Sequence, residues 1–350
     1  WGGPAVGDAQ LLGGAPPYGK YVIAFRNYIL MANCAQGGTS YPLRVYRSGL
    51  GTAETWDTVN DYWSFDTNSG RPITGIRQFN TNGIVYHEDT ISTFSGASAA
   101  SFAIYPNALE GIGCVDGHSL ASGMLPFQYI DAQGMPTGQV YYKFGHIFRS
   151  YEGFYMYDGA NVQEISTNLI SDNSHLNLTR LNQVCATYDP ERRMYWSFLP
   201  EGTSLTNNYG YAFNVVGGGW FPHKGFNANV CTTIYDNKYI VLYGGDDGKV
   251  YKMDPAVYEI NGTAMTNYWY SKWFDLGKPT NVKLMRDFLA LVGATSSNSL
   301  FINLEFDLPY TGRVQSGLID LSNISSKYGT AKYGTGKYSG SGFRLLDSNL

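Results

Sequence analysis

Tyr151-Glu152-Gly153-Phe154-Tyr155-Met156-Tyr157-Asp158-Gly159, continued by Asn161-Val162-Gln163-Glu164-Ile165, reads as a polar turn, an aromatic strand, an Asp-Gly turn and a further strand. The cadence returns as Tyr235-Asp236-Asn237-Lys238-Tyr239-Ile240-Val241-Leu242-Tyr243, then Asp247-Gly248-Lys249-Val250-Tyr251. Shorter versions lie around Arg26-Asn27, Asn80 to Gly83 and Asp189 to Arg192. Each unit is a small antiparallel meander that cannot bury its own faces. Several must therefore stack, and radial stacking of four-stranded sheets makes a β-propeller. Turn centres near residues 26, 81, 152, 190 and 236 suit blades of about 40–50 residues. The wide step between the second and third reads as an insertion. The fold class expected is all-β: a propeller of antiparallel meander blades.

Composition agrees. Of 350 residues 42 are Gly, 29 Tyr, 18 Phe and 7 Trp, while only 15% are charged, below the roughly 25% usual in soluble domains. Aromatic content this high gives ample surface to bury and argues against disorder. A net charge of −4 gives no support to general nucleic-acid binding, which needs clustered Lys and Arg. No run of about 18 apolar residues occurs, so no helical membrane span is expected. Cys34, Cys114, Cys185 and Cys231 are far apart and form no Cys-x-x-Cys pair, so buried free thiols are expected rather than a zinc site.

Residues 1–20 are rich in Gly, Pro and Ala and are expected to form an extended arm; 21–310 make the propeller; 311–350 form a Gly/Tyr-rich arm or docking segment. Strands are expected at about 21–25, 28–33, 73–79, 84–87, 147–150, 154–157, 194–199, 230–235 and 238–243. Ala53 to Trp63 is expected to include a short helical turn. The Asn82-Gly83 step is expected to supply the positive φ of a hairpin turn. Further strands are expected at Trp269 to Asp275, Leu284 to Val292 and Leu300 to Asp307. Near the end Lys327-Tyr328-Gly329, Lys332-Tyr333-Gly334 and Lys337-Tyr338-Ser339 repeat too tightly to build a core. Lys327, Tyr328, Lys332, Tyr333, Lys337 and Tyr338 are therefore interface candidates.

Candidate chemistry yields to plainer readings. His87, His118, His146, His175 and His223 never fall in a paired ligand spacing, and no metal or cofactor is expected. His118-Ser119 with His146 invites a nucleophile and a base, but no Gly-x-Ser-x-Gly elbow exists. Asp158, Asp189, Asp236 and Asp247 sit beside turn residues, where Asp bonds its own backbone. Gly37-Gly38, Gly217-Gly218-Gly219 and Gly244-Gly245 carry no Gly-Lys-Ser/Thr and read as tight turns. No catalytic centre is expected.

The order of segments carries a resemblance. Tyr41-Pro42-Leu43-Arg44-Val45-Tyr46-Arg47-Ser48-Gly49-Leu50 with Glu54-Thr55-Trp56-Asp57 comes first. Ile73-Thr74-Gly75-Ile76 and Gly83-Ile84-Val85-Tyr86-His87-Glu88-Asp89-Thr90-Ile91 follow. Next stand Gly111-Ile112-Gly113-Cys114-Val115, Ser119-Leu120, Gly153 to Gly159 and Ile165-Ser166. Trp273-Phe274-Asp275-Leu276-Gly277-Lys278-Pro279, with Lys283 and Phe288, come last. Together this order, across about residues 21–307, resembles the β-propeller tail hub or nozzle proteins of short-tailed bacteriophages. The resemblance implies a structural virion protein, assembled in the host cytoplasm. It would form a homo-oligomeric, hexameric ring in the tail, between a portal-adaptor and distal tail or fibre proteins. Double-stranded DNA would pass through without sequence-specific binding, and no catalytic residue is implied. Family members carry more chain before this point. The circle is therefore expected to be incomplete in this chain, with missing strands supplied by a separate or cleaved N-terminal chain. The rival class is a carbohydrate-binding or glycoside-cleaving propeller, using the aromatics for stacking and a carboxylate pair for hydrolysis.

Overall fold

A computed structural model describes residues 13–130, 133, 136–166 and 175–254, and the short strands Glu259–Ile260, Thr263–Ala264, Ser299–Phe306 and Arg313–Asp320. The chain divides into two compact units, Trp1–Thr266 and Asn267–Leu350. The first unit carries five antiparallel sheets arranged as a five-bladed β-propeller.

The first sheet contains β1 (Tyr18–Phe25), β2 (Tyr28–Gln36), β3 (Thr39–Arg47) and β4 (Tyr62–Ser64). The second holds β5 (Ile73–Phe79), β6 (Asn82–His87), β7 (Thr90–Ser95) and β8 (Ala103–Glu110). The third holds β9 (Ala121–Ile130), β10 (Pro136–Arg149), β11 (Phe154–Tyr157) and β12 (Val162–Glu164). The fourth holds β13 (Cys185–Asp189), β14 (Met194–Leu199), β15 (Tyr209–Asn214) and β16 (Gly219–Lys224). The fifth has three strands, β17 (Ala228–Asp236), β18 (Lys238–Gly245) and β19 (Val250–Lys252). Strands pair in sequence order within every sheet, as meanders do. Across sheets β1 touches β5, β9 touches β13 and β13 touches β17, which puts the first strand of each blade at its inner end.

The aromatic alternation that announces the blades also joins them. Tyr21, Phe25, Leu30 and Val45 of the first sheet meet Ile73, Ile76, Val85 and Phe94 of the second. Phe79, Ile84, Tyr86 and Ile91 then meet Phe148, Tyr155 and Tyr157 of the third. Leu125, Phe127, Phe154 and Met156 meet Tyr188, Tyr195, Tyr211 and Phe213 of the fourth. Cys185 and Phe198 meet Ala228 and Tyr243 of the fifth. Burying each such side chain is worth about 1.5–3 kcal/mol, so these four seams supply most of the cohesion. Among the described residues no core cluster joins the fifth sheet to the first.

Several details depart from the sequence expectations. Residues 18–20, expected in the arm, belong to β1. Residues 53–61 form turns and bends with no helix. At the β5–β6 turn the left-handed residue is Asn80 (φ 51°), while Gly83 lies within β6. Position 83 is Gly for packing reasons: a Cβ there would fall 1.9 Å from Cζ of the buried Phe94. The wide step between the second and third turn centres is no insertion. Glu152 follows β10, one hairpin later than its counterparts, and strand β9 fills the gap. Gly244-Gly245 ends β18 and is not the turn itself.

In the second unit Ser299–Phe306 pairs antiparallel with Arg313–Asp320, a hairpin that crosses the expected boundary at 310/311. The strands expected at Trp269 to Asp275 and Leu284 to Val292 lie outside the described residues.

Candidate functional site

The Lys327, Tyr328, Lys332, Tyr333, Lys337 and Tyr338 interface candidates lie outside the described residues. The four carboxylates proposed as turn residues include three that act as such. Asp158 accepts from the amides of Ala160 (2.9 Å) and Asn161 (2.7 Å), Asp189 from Glu191 (3.0 Å), and Asp247 from Lys249 (3.1 Å). Asp236 stands at the β17–β18 turn, where its Oδ1 accepts from Asn237 Nδ2 at 3.4 Å.

The four cysteines are free, with Cys34, Cys114 and Cys185 buried and Cys231 half-buried. Burial pushes the thiols of Cys34 and Cys114 up to about 12, so both stay protonated and unreactive near neutrality.

His146 and His223 are packed against aromatic rings, while His118 is exposed. His146 is buried with Nδ1 2.7 Å from the hydroxyl of Tyr86. His223 lies among Trp196, Phe198 and Phe226. Burial lowers both from the ordinary 6.5 to about 3. The rings are therefore neutral in the folded protein, and the unfolded chain takes up protons first. Their contribution to stability is complete above about pH 6.5 and is lost as pH falls towards 3, at up to about 1.4 kcal/mol per pH unit for each ring. Urea midpoints measured from about pH 7 to about pH 4.5 are expected to fall steeply, and His223→Phe to flatten the slope. An unchanged slope contradicts the assignment.

One loop draws four blades together. Residues 111–120 run from β8 to β9 and include the 3₁₀ turn Gly117–Ser119. Asp116 caps that turn, its Oδ1 accepting from the His118 amide (2.9 Å) and standing 2.6 Å from His118 Nδ1. Its Oδ2 accepts from Lys20 Nζ (3.0 Å) and the Tyr21 hydroxyl (3.1 Å) of the first sheet. Thr74 and Arg77 of the second sheet donate to the carbonyls of Cys114 (2.6 Å) and Gly117 (3.1 Å). The Arg149 amide of the third donates to Ser119 Oγ (3.3 Å), and the Tyr195 hydroxyl of the fourth to the Ser119 carbonyl (2.9 Å). Burial by itself would raise the Asp116 pKa; the His118 bonds and the Lys20 charge hold it below the usual carboxylate value.

This geometry is that of a staple. Ser119 is fully buried and its hydroxyl donates to the Asp116 carbonyl at 2.7 Å, while the His118 ring is engaged with the Asp116 carboxylate. Among the described residues no hydrogen bond joins Ser119 to His118; each is engaged with Asp116 instead.

The two outer flanks of the five-sheet series differ in chemistry. In β17, Thr233 faces the fourth sheet, its hydroxyl 2.8 Å from that of Thr187. The alternation of a strand then turns Val230, Thr232 and Ile234 to the other side. Opposite them stand Gly244, Leu242 and Ile240, with Val250 beyond Gly244. That face mixes aliphatic residues with Thr232 and with Lys252 opposite Leu242, and Val230, Ile234 and Val250 on it are 52%, 41% and 73% exposed.

On the first sheet, Arg44 and Tyr46 of β3 and Tyr62 of β4 share the face turned away from the second sheet. The Arg44 guanidinium lies 4.2 Å from the ring centre of Tyr41 and 4.0 Å from that of Tyr62, and Nη1 donates to the Tyr46 hydroxyl at 3.2 Å. Gln36, Gly37, Thr39, Thr58 and Val59 complete a cavity of about 540 Å³ around it. The alternation of Arg44 and Tyr46 is legible in the sequence; the arrival of Tyr62 is not.

No protein-family model matches the chain, and no curated protein matches it. Among solved structures the chain is similar to apo AztD from Citrobacter koseri, at 12% identity and a TM-score of 0.33. The likeness covers 67% of this chain and 56% of that chain, and at this TM-score it carries no argument about function.

Proposed function

We propose that this chain is a structural component of a short-tailed phage tail, a β-propeller subunit of an oligomeric ring through which DNA passes. The observation that carries this reading is the flank of the fifth sheet, where the aliphatic Val230, Ile234 and Val250 stand exposed beside Thr232 and Lys252. Exposed apolar patches of this kind mark interaction sites. The neighbouring copy in the ring covers it. The order of segments from Tyr41 to Phe288 supports the tail assignment, and a net charge of −4 suits a passage in which dense Lys and Arg would trap phosphates. The portal-adaptor and distal tail proteins belong to the same proposal as ring partners, and the virion tail as its location.

Sedimentation velocity with electron micrographs of the purified full chain tests it. Closed rings are expected, and Ile234→Asp is expected to shift the population to smaller species. A monomer at all concentrations overturns self-assembly. A monomer that becomes whole only with a separate or cleaved N-terminal chain assigns the flank to that chain instead. Rings unaffected by Ile234→Asp place the interface elsewhere.

A further inference from the structure

An arginine held between two aromatic rings can recognise a partner only along its edge. Arg44 lies against two such rings: the centres of Tyr41 and Tyr62 stand 4.2 Å and 4.0 Å from its guanidinium carbon, and one of its five N–H donors goes to the Tyr46 hydroxyl. The remaining donors lie in the plane of the guanidinium, where the fork matches an oxyanion. The two ring contacts and the Tyr46 bond restrict the side chain, so less rotamer freedom is left to lose on binding.

The charge itself is not neutralised. Nearby Arg47 pairs with Asp61, but among the described residues no carboxylate pairs with Arg44. The groups that act on its charge are Tyr46, Tyr62 and Tyr41. A guanidinium on a protein surface has many ways to find water, but this one is ordered by three tyrosines at the wall of a cavity of about 540 Å³. That size falls in the range of small-molecule sites.

The lining selects the rest of the ligand. Val59 is the only aliphatic side chain around the cavity; the others offer the Thr39 and Thr58 hydroxyls, the Gln36 amide, the Gly37 backbone and the two tyrosines. Gln36 and Thr58 are bonded to each other, which holds the far wall in place. Most of these groups donate or accept hydrogen bonds, which favours a hydroxyl-rich ligand over an apolar one.

We propose that this cavity binds an acidic saccharide, with Arg44 receiving its carboxylate or phosphate and the Thr39 and Thr58 side receiving its hydroxyls. The site uses the outer strands of the first sheet and none of the residues of the fifth.

Titration of the full chain with trigalacturonic acid, its fully methyl-esterified counterpart and galactose 6-phosphate tests the proposal. The acid is expected to bind with a Kd of about 1 mM or tighter, and the neutral ester at least about tenfold more weakly. Arg44→Gln, with the wild-type melting profile, is expected to lose at least about tenfold in affinity. Arg44→Lys is expected to lose most of it as well, because it keeps the charge but not the fork. The exposed Arg26→Gln is expected to change nothing. Binding of the phosphate sugar alone assigns the oxyanion to phosphate and keeps the site. If the wild type binds acid and ester equally, or binds neither charged sugar at about 10 mM, the proposal fails. That comparison needs no variant, so it decides even where an Arg44→Gln chain does not fold.

Discussion

Gly113→Ala is expected to destabilise the propeller by about 4 kcal/mol and to lower its melting temperature by about 10 °C. A Cβ at position 113 would fall 2.2 Å from the His87 carbonyl oxygen and 2.5 Å from both the Asp89 amide nitrogen and the Glu88 carbonyl carbon. All three are backbone atoms of the β6–β7 turn, so no side chain can swing aside. The Cys114 amide donates to the same His87 carbonyl at 2.8 Å, and pushing the strands apart breaks that bond. The displaced loop is the one that ties four blades together. Gly202→Ala is the control: its φ of +63° is strained for alanine but nothing lies within 4 Å, so about 1 kcal/mol is expected. Calorimetry on both variants decides, and a Gly113→Ala protein melting with the control removes the close approach as the reason for the glycine.

Asp116→Ala is expected to cost about 2–3 kcal/mol, read as a shift of the urea midpoint. Its side chain is 1% exposed and serves the Lys20 ammonium, the Tyr21 hydroxyl and the His118 amide together. Lys20 is half-exposed and regains water when the carboxylate goes, so its share of the loss is small. The cost comes from the Tyr21 hydroxyl and the uncapped turn, both tied into the seam between the first blade and the loop. Asp116→Asn keeps an acceptor for the turn and is expected to recover about half. Because the Asp116 pKa is depressed in the folded state, its stabilisation is present above the ordinary carboxylate range and is lost as pH falls through it. An Asp116→Ala midpoint equal to the wild type would falsify the staple.

The blades are legible because their signal is local. Each of the five turn centres read from the sequence falls in a different sheet, and Phe154–Tyr157 and Met194–Leu199 match their expected bounds. Strands β8 and β9 are not legible. β8 carries Pro106 and Asn107 and is largely exposed, as an edge strand tolerates. β9 carries Gly123 and Pro126, and the glycine is there because a Cβ would meet the Tyr188 ring at 2.4 Å. Such residues look like loop until the neighbouring blade is in place.

The sites follow the same rule. Turn aspartates declare themselves, because Asp158 and Asp189 bond amides two or three residues ahead. Asp116 does not, since its partners Lys20 and Tyr21 stand on another blade. Arg44 gives half a signal through its alternation with Tyr46, and Tyr62 reaches it across a loop with no regular period.

Assembly of the ring rests on the flank of the fifth sheet being an interface. Amide hydrogen exchange of the full chain, followed across a concentration series, reads this directly. Residues 230–242 are expected to gain protection as the chain assembles, while 84–94, already sealed between the first and third blades, stay constant. Rapid exchange at 230–242 that does not change between the smallest and largest species contradicts it.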